Sequence, residues 1–472
     1  MQPWSGGGVR VTDRLSALDV SFLYLESATT PMHVGSVARF SPDADFDYDD
    51  LVALVSQRIG FVARYRQKIR SIPGHLANPV WVDDETFDIS YHVRRSALPK
   101  PGNDEALRAL VARVQSRRLD RSRPLWEIYL VEGLAGGGFA IITKTHHAMV
   151  DGISAVDIAT LILDTETTPR VTPVDDWVPR EEPSSLQLIA GSLGDGLRRP
   201  TQIAETVRGA FADVRATGTR ALNAAVGVAA ALRTSFRPAP DSALNATIGE
   251  QRRFGMAVTA LDDYKRIRKA HGGTINDVVL ATVAGALRAW MMTRGEPVRP
   301  TSALRAMVPV SVRAESESGA LGNRVSSYFV DLPVGEPNPV LRLQQVSYAM
   351  QAHKDSGQSV GAGALIAASG FAPPTIHSTA ARLASGFTRR LFNVVVTNVP
   401  GPQFPLYAAG ARMIDCYPVV PLGNGQAVSI GLTSYDGGVY YGLNADRDAM
   451  ADVDVLAGCI EESLVELLGT VR

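Results

Sequence analysis

The chain has 472 residues, of which 45% are hydrophobic and 20% charged, with a formal net charge of −1. That length exceeds one compact core and predicts two or three domains, while the balanced charge excludes the basic excess of a typical nucleic-acid-binding protein. The two cysteines, Cys416 and Cys459, lie far apart without CxxC spacing, which argues against a disulfide framework or zinc ribbon and fits a reducing interior.

The opening "MQPWSGGGVRVTDRLSALD" lacks a long apolar run, so no secretory signal is expected. No window reaches the roughly 18 uninterrupted apolar residues of a spanning helix. These features predict a soluble or peripheral protein of the cytoplasm.

In the first half, "HVGSVARF" (33–40) and "FAIITKTHH" (139–147) read as strands, and 47–59 and 104–117 as amphipathic helices. Near residue 165 the texture changes to "TETTPRVTPVDDWVPREEPSS", a Pro-, Thr- and acid-rich linker. From Leu186 to Phe236 an Ala/Arg/Gly-rich stretch carries a helical stripe through Ile203, Val207, Phe211 and Val214, with arginines outnumbering acids. Such a helix can lie on an anionic membrane or droplet surface. The favoured reading is packing on the protein's own core, because small Ala/Gly faces suit helix packing.

After a second break at 237–254, residues 274–295 form a strong helical pattern, and 305–313, 324–334 and 391–402 read as strands. "AVSIGLTSYDGGVYYGLNA" (427–445) alternates on both sides of Asp-Gly-Gly, a hairpin signature. The predicted architecture is α/β: a first domain over 1–170, a helical linker over 171–245 and a second domain over 246–472.

"KTHHAMVDG" (144–152) raises three readings: a base, a metal site or a strand end. Strand alternation puts Ile141, Thr143, Thr145 and His147 on one side and His146 on the other. The two imidazoles then cannot share one metal while extended, and HExxH spacing is absent, so no metal site is expected. Asp151 and Gly152 fit a helix cap and its turn. A neutral imidazole at such a junction also suits proton abstraction from a hydroxyl.

"HHAMVDG" matches the HHxxxDG signature of the CoA-dependent acyltransferase superfamily, which includes chloramphenicol acetyltransferases (CAT) and nonribosomal-peptide condensation domains. "LSALDVSFLYLESATTPMHVG" (15–35), "RPLWEIYLVEGL" (123–134), "TINDVVLA" (274–281), "VPVSVR" (308–313), "LGNRVSSYFVDLPV" (321–334) and "NVVVTNVPGP" (393–402) resemble the bacterial wax ester synthase/diacylglycerol acyltransferase family. The resemblance runs from about Leu15 to the C-terminus.

It implies two CAT-like α/β domains with a tunnel between them. It also implies acyl transfer from long-chain acyl-CoA to diacylglycerol or a fatty alcohol, giving triacylglycerol or wax ester without a cofactor. His147 would be the general base, with His146 supporting it. Asp151 would brace the site through an arginine, with Arg313 resembling that partner and Arg64 or Arg66 as substitutes. Asn276 and Asp277 match the ND motif of the substrate tunnel, although Thr274 to Asp277 also reads as a capping box. Pro124, Leu125 and Trp126 match the PLW motif, and a buried turn with a core Trp explains them equally. Asn398 and Gly401 could shape the acceptor end or a tight turn. For these three sets structure is expected ahead of direct chemistry, and backbone amides near Gly152 are candidates for an oxyanion site. Rival functions are acyl transfer from a carrier protein to a polyketide or peptide acceptor, and a non-catalytic lipid- or droplet-binding role. Peripheral contact with an inner membrane or lipid inclusion fits the lipid substrates.

Overall fold

Several helices begin where the sequence supplies capping side chains. A computed structural model of the chain describes residues 13–41, 47–75, 77–150, 161–170, 177–190, 238–311, 325–356, 360–361 and 391–471. Ser16 and Asp19 form a reciprocal capping box at α1 (Ala17–Leu25), which leads into β1 (His33–Phe40). Asp47 and Asp50 do the same at α2 (Tyr48–Arg58). Each box satisfies amide donors that a helix start leaves open. A two-stranded ribbon follows, β2 (Gln67–Arg70) with β3 (Val80–Asp83). Next come the short α3 (Ile89–His92), β4 (Val93–Ala97) and α4 (Asp104–Ser116), whose N-cap is Asn103. β5 (Trp126–Glu132), β6 (Phe139–His146) and α5 (His147–Val150) follow.

The second part opens with β7 (Arg252–Ala260), α6 (Leu261–His271) and α7 (Ile275–Thr293). β8 (Leu304–Ser311), β9 (Val325–Leu332), α8 (Pro339–Ser356) and β10 (Val360–Gly361) follow. Then come β11 (Val394–Pro400), β12 (Tyr407–Ala408), β13 (Ala411–Val419), β14 (Val428–Tyr435), β15 (Gly438–Asp446) and α9 (Val453–Leu468).

The strands form two large mixed sheets. One runs β12-β13-β1-β6-β5-β4 and the other β10-β9-β8-β11-β14-β15-β7. The first core gathers Val37, Ile128, Leu130 and Ile142 with the apolar face of α4, including Leu107 and Val111. The second surrounds α7, every residue of which from Asp277 to Leu287 is buried. Among the described residues α7 alone is long and apolar enough to cross a bilayer, and 72% of that window is buried inside the protein. A helix apolar all round has the same composition when it is the centre of a large core.

The predicted elements stand, with trimmed ends. The expected strand 305–313 runs over Leu304–Ser311 as far as the described residues extend, and 139–147 stops at His146. The hairpin forms as the sequence predicts: Asp436 and Gly437 take φ of 43° and 86°, so Tyr435 pairs with Gly438. Two central residues with positive φ make the two-residue turn whose twist matches antiparallel strands. Of the linker, 185–190 is helical, while 191–237, including the arginine-rich stripe, lies outside the described residues.

β13 links the two sheets. It is antiparallel to β1 in the first sheet, with Gly35 opposite Val419 and Ala38 opposite Cys416. Its far end lies against the second sheet, where the carbonyl of Val420 accepts from Ser429 Oγ at 2.7 Å and Asn444 Nδ2 at 2.8 Å. Gly431 and Gly442, paired across β14 and β15, make room for it. A Cβ on Gly442 would stand 1.9 Å from the Pro418 carbonyl oxygen, and one on Gly431 2.7 Å from Val420 Cγ2. Backbone can approach a sheet this closely only where side chains are missing. Gly442→Ala is therefore expected to destabilise the protein by about 1–3 kcal/mol, the usual scale of overpacking. The denaturation midpoint reads this directly; an unchanged midpoint would show that β13 can withdraw without cost.

Candidate active site

The histidine doublet sits where a fully buried strand ends. β6 lies between β1 and β5, with His33 opposite His146 and Trp126 opposite Thr145. Each residue from Phe139 to His146 is buried. At the end of the strand the His146 amide donates to the Leu125 carbonyl at 2.9 Å, and the His147 amide to the Met32 carbonyl at 2.8 Å. The backbone is thus held from both sides at the point where it turns helical.

This corrects the alternation argument. His147 is the first residue of α5 rather than the last of β6, so the pleat that aligned it with Ile141, Thr143 and Thr145 has already ended. The two histidines differ by burial instead: His146 is 1% exposed, whereas His147 is partly open.

His146 Nδ1 accepts from the Ala148 amide at 3.1 Å, which leaves the ring proton on Nε2. That nitrogen faces Glu26 Oε2 at 3.9 Å, and Glu26 is held by Arg121 Nε at 2.8 Å. Burial first, then the charges of Arg121 and of His147, push the His146 pKa down to about 3. Burial penalises the charged imidazolium. His33 is in a similar state: its Nε2 bonds the Gln115 carbonyl at 2.9 Å, and burial, then Lys144, holds its pKa well below the usual value. Lys144 is itself buried, donating from Nζ to the Val114 carbonyl at 3.1 Å and to that of Arg117. Burial takes its pKa down to about 8.

The His147 ring stacks on Phe22, with centroids 4.3 Å apart and planes 17° apart. Phe22 and Glu26 stand four residues apart at the end of α1, about one helical turn, so one helix end meets both histidines. Neither was singled out from sequence. The signal was there in "SFLYLES", where an aromatic and an acid share that spacing.

The PLW segment is brought to this strand. Leu125 supplies the carbonyl that holds His146, and Trp126 is buried, its Nε1 donating to the Tyr65 carbonyl at 2.8 Å. His92 stacks on the same indole at 4.5 Å. With Pro124 also buried, the segment is packing around the histidine strand.

The ND and TNVPGP segments meet in the second part. Asn398 Nδ2 donates to Asn276 Oδ1 at 3.2 Å. Asp277 forms the capping box: Thr274 N donates to its Oδ2 at 2.8 Å, its own amide donates to Thr274 Oγ1 at 3.2 Å, and Ser347 Oγ adds a bond at 2.9 Å. Gly401 is a close approach, since a Cβ there would stand 2.3 Å from the Ser434 carbonyl oxygen.

Asp151, Gly152 and Arg313 lie outside the described residues. Of the substitutes for Arg313, Arg64 is bonded to Asp13 and to Gln67 Oε1, and Arg66 lies over the Trp177 ring at 4.8 Å. Among the described residues no group of His, Cys, Asp and Glu is placed to hold a metal ion.

A family model for the wax ester synthase/diacylglycerol acyltransferase catalytic domain matches residues 15–279, and one for the C-terminal domain of the same family matches 321–468. The chain is 34% identical, over 97% of its length and 96% of the relative's, to a probable diacylglycerol O-acyltransferase, tgs1, of Mycobacterium tuberculosis. It is 35% identical to a second, tgs2, over 96% of this chain and 98% of that one. A solved wax ester synthase/diacylglycerol acyltransferase from Marinobacter aquaeolei VT8 superposes with a TM-score of 0.69 at 29% identity, covering 96% of this chain and 98% of that one. The starter condensation domain of rhizomide synthetase superposes at 0.51 and 14% identity, covering 98% and 95%, a likeness of fold alone. The chain belongs to the wax ester synthase/diacylglycerol acyltransferase family.

Proposed function

We propose that this protein transfers a fatty acyl group from long-chain acyl-CoA to the hydroxyl of diacylglycerol or a fatty alcohol, with His147 as general base. The activity follows from family membership. The observation that supports the choice of base is the unlike setting of two adjacent histidines. His146 is sealed and neutral, with both ring nitrogens turned toward its own scaffold. His147 is partly open, held by its backbone and by an aromatic face.

In this reading the acceptor hydroxyl gives its proton to a neutral His147 nitrogen as the oxygen attacks the thioester carbonyl. The tetrahedral intermediate collapses, the C–S bond breaks, and the imidazolium returns the proton to the coenzyme A thiolate. An imidazole is suited to both halves of this exchange near neutral pH. The Phe22 face supports the imidazolium while it exists, as aromatic faces do for cations. Asp151 is assigned the bracing role, through Arg313 where the family pattern puts its partner, and amides near Gly152 are candidates for the oxyanion.

We further assign the family's CAT-like arrangement to the two sheets, with domains over 1–170 and 246–472, a linker over 171–245 and a tunnel between the domains. Asn276 and Asn398, bonded to each other, would act as one polar element of that tunnel, while Asp277, Gly401 and the PLW residues shape it through packing. Transfer at the surface of a membrane or lipid inclusion suits acceptors that are insoluble in water.

Two measurements test these assignments. With long-chain acyl-CoA and diacylglycerol or a fatty alcohol, acceptor-dependent thiol release should fall about 10²–10⁴-fold in His147→Ala, the range for loss of a general base, and much less in His146→Ala. Equal activity in the His147 variant would remove it as the base. The second follows from the His146 pKa of about 3, against about 6.5 in an unfolded chain. Below pH 6.5 the unfolded state takes up a proton that the folded state refuses, so stability falls as pH drops from 6.5 toward 3. His33 acts in the same direction. Denaturation midpoints across that window should decline less steeply in His146→Gln than in the parent protein; parallel curves would show that His146 titrates normally.

A further inference from the structure

A cavity of about 500 Å³ opens on the first sheet beside the histidine strand, bounded by Arg94, Arg117, Arg118, Arg121, Tyr91 and Tyr129. Three acids, Glu26, Asp120 and Glu127, share the lining. Two of them are already matched: Arg121 holds Glu26 at 2.8 Å, and Arg94 holds Glu127 at 3.2 Å. Asp120 caps its own turn, accepting from the Ser122 amide at 2.9 Å and its hydroxyl at 2.7 Å. Arg117 and Arg118 remain, exposed and consecutive at the C-terminal end of α4, and neither guanidinium is ion-paired among the described residues.

The cavity is also tied to the reaction centre. Glu26 forms its inner wall and stands 3.9 Å from His146. Lys144, on the strand that ends in the histidines, is bonded to the Arg117 carbonyl, so the turn bearing both arginines is anchored to that strand. A polar, cation-lined cavity offers nothing to an acyl chain, an acylglycerol or an alcohol. It does suit an anion with several oxygens, which guanidinium forks bind in pairs of hydrogen bonds. Of the two substrates only the donor carries such groups.

We propose that this cavity binds the phosphate groups of the acyl-CoA donor, with Arg117 and Arg118 as the residues that grip them and Tyr91 and Tyr129 as flanking aromatic surface. The proposal rests on acyl-CoA being the donor. It adds a specificity element: the nucleotide end is held at the outer arginines while the thioester points inward to His147. A donor lacking the nucleotide then loses this grip and keeps the chemistry.

The test compares the full-length protein with an Arg117→Gln/Arg118→Gln double variant, and with Arg113→Gln, an exposed arginine on the same helix, as a charge control. Coenzyme A and adenosine 3′,5′-bisphosphate are titrated directly, without turnover. The double variant should bind both about ten-fold or more weakly, the scale of losing charge-assisted hydrogen bonds, while the control binds like the parent. In turnover the loss should fall on the KM for acyl-CoA rather than on kcat, and the gap should close when the donor is an acyl-pantetheine. Unchanged affinity for coenzyme A in the double variant overturns the proposal. So does a variant that loses only its binding to phosphatidylglycerol vesicles, because the arginines would then serve a lipid headgroup. If coenzyme A binds through the arginines but no acyl group reaches either acceptor, the proposed function fails and this site stands. If transfer is seen and the variant is unimpaired, the reverse holds.

Discussion

The arrangement depends on one strand having two neighbours of different kinds. β13 completes the edge of the histidine sheet by pairing with β1, and its end is bonded to Ser429 and Asn444 of the other sheet. β1 in turn pairs with β6 and supplies the Met32 carbonyl just before its first residue, which holds His147. The two cores therefore meet through side-chain hydrogen bonds to the Val420 carbonyl as well as through packing contact. A second tie reinforces the first: buried Arg252 at the start of β7 donates to the Thr29 carbonyl, and its amide donates to Ser116 Oγ at 3.2 Å. Both ties end within a few residues of the site.

The doublet shows how neighbours in sequence acquire opposite chemistry. His146 is the final residue of a buried strand, its Nδ1 accepting from the Ala148 amide and its Nε2 turned toward Glu26 Oε2 at 3.9 Å. One residue later the chain turns, and the next imidazole lies flat on Phe22. Burial is what keeps His146 neutral, and a neutral neighbour places no like charge beside the proposed base when it takes up a proton.

Much of this was legible from residue order, and the gaps have physical causes. The amphipathic spans 47–59 and 104–117 and the Asp-Gly hairpin were readable because period and turn chemistry are local properties. So was the capping role of Asp277, whose box with Thr274 forms as spelled. The HHxxxDG and PLW segments pointed to the site, yet the pleat argument for His147 failed because strand periodicity says nothing about where a strand stops. Phe22, Glu26 and the arginine pair escaped notice since their importance lies in what they meet, 95 to 125 residues away in sequence for Arg121 and His147. Least readable was β13. Its alternation marks a half-buried strand, but nothing within 411–419 says that it belongs to the sheet begun at residue 33.

That long-range pairing has a consequence for the order of events during synthesis. The strand ending in the histidines is made within the first third of the chain, and its partners β1 and β5 are already present. The other edge of β1 must wait for residues 411–419, nearly the whole length of translation. Until then a strand at the centre of the finished sheet is an open edge, able to recruit other chains. The nascent protein thus passes through a stage in which its proposed reaction centre is encoded and its main hazard is self-association. Release from that stage comes only when the second core is nearly complete.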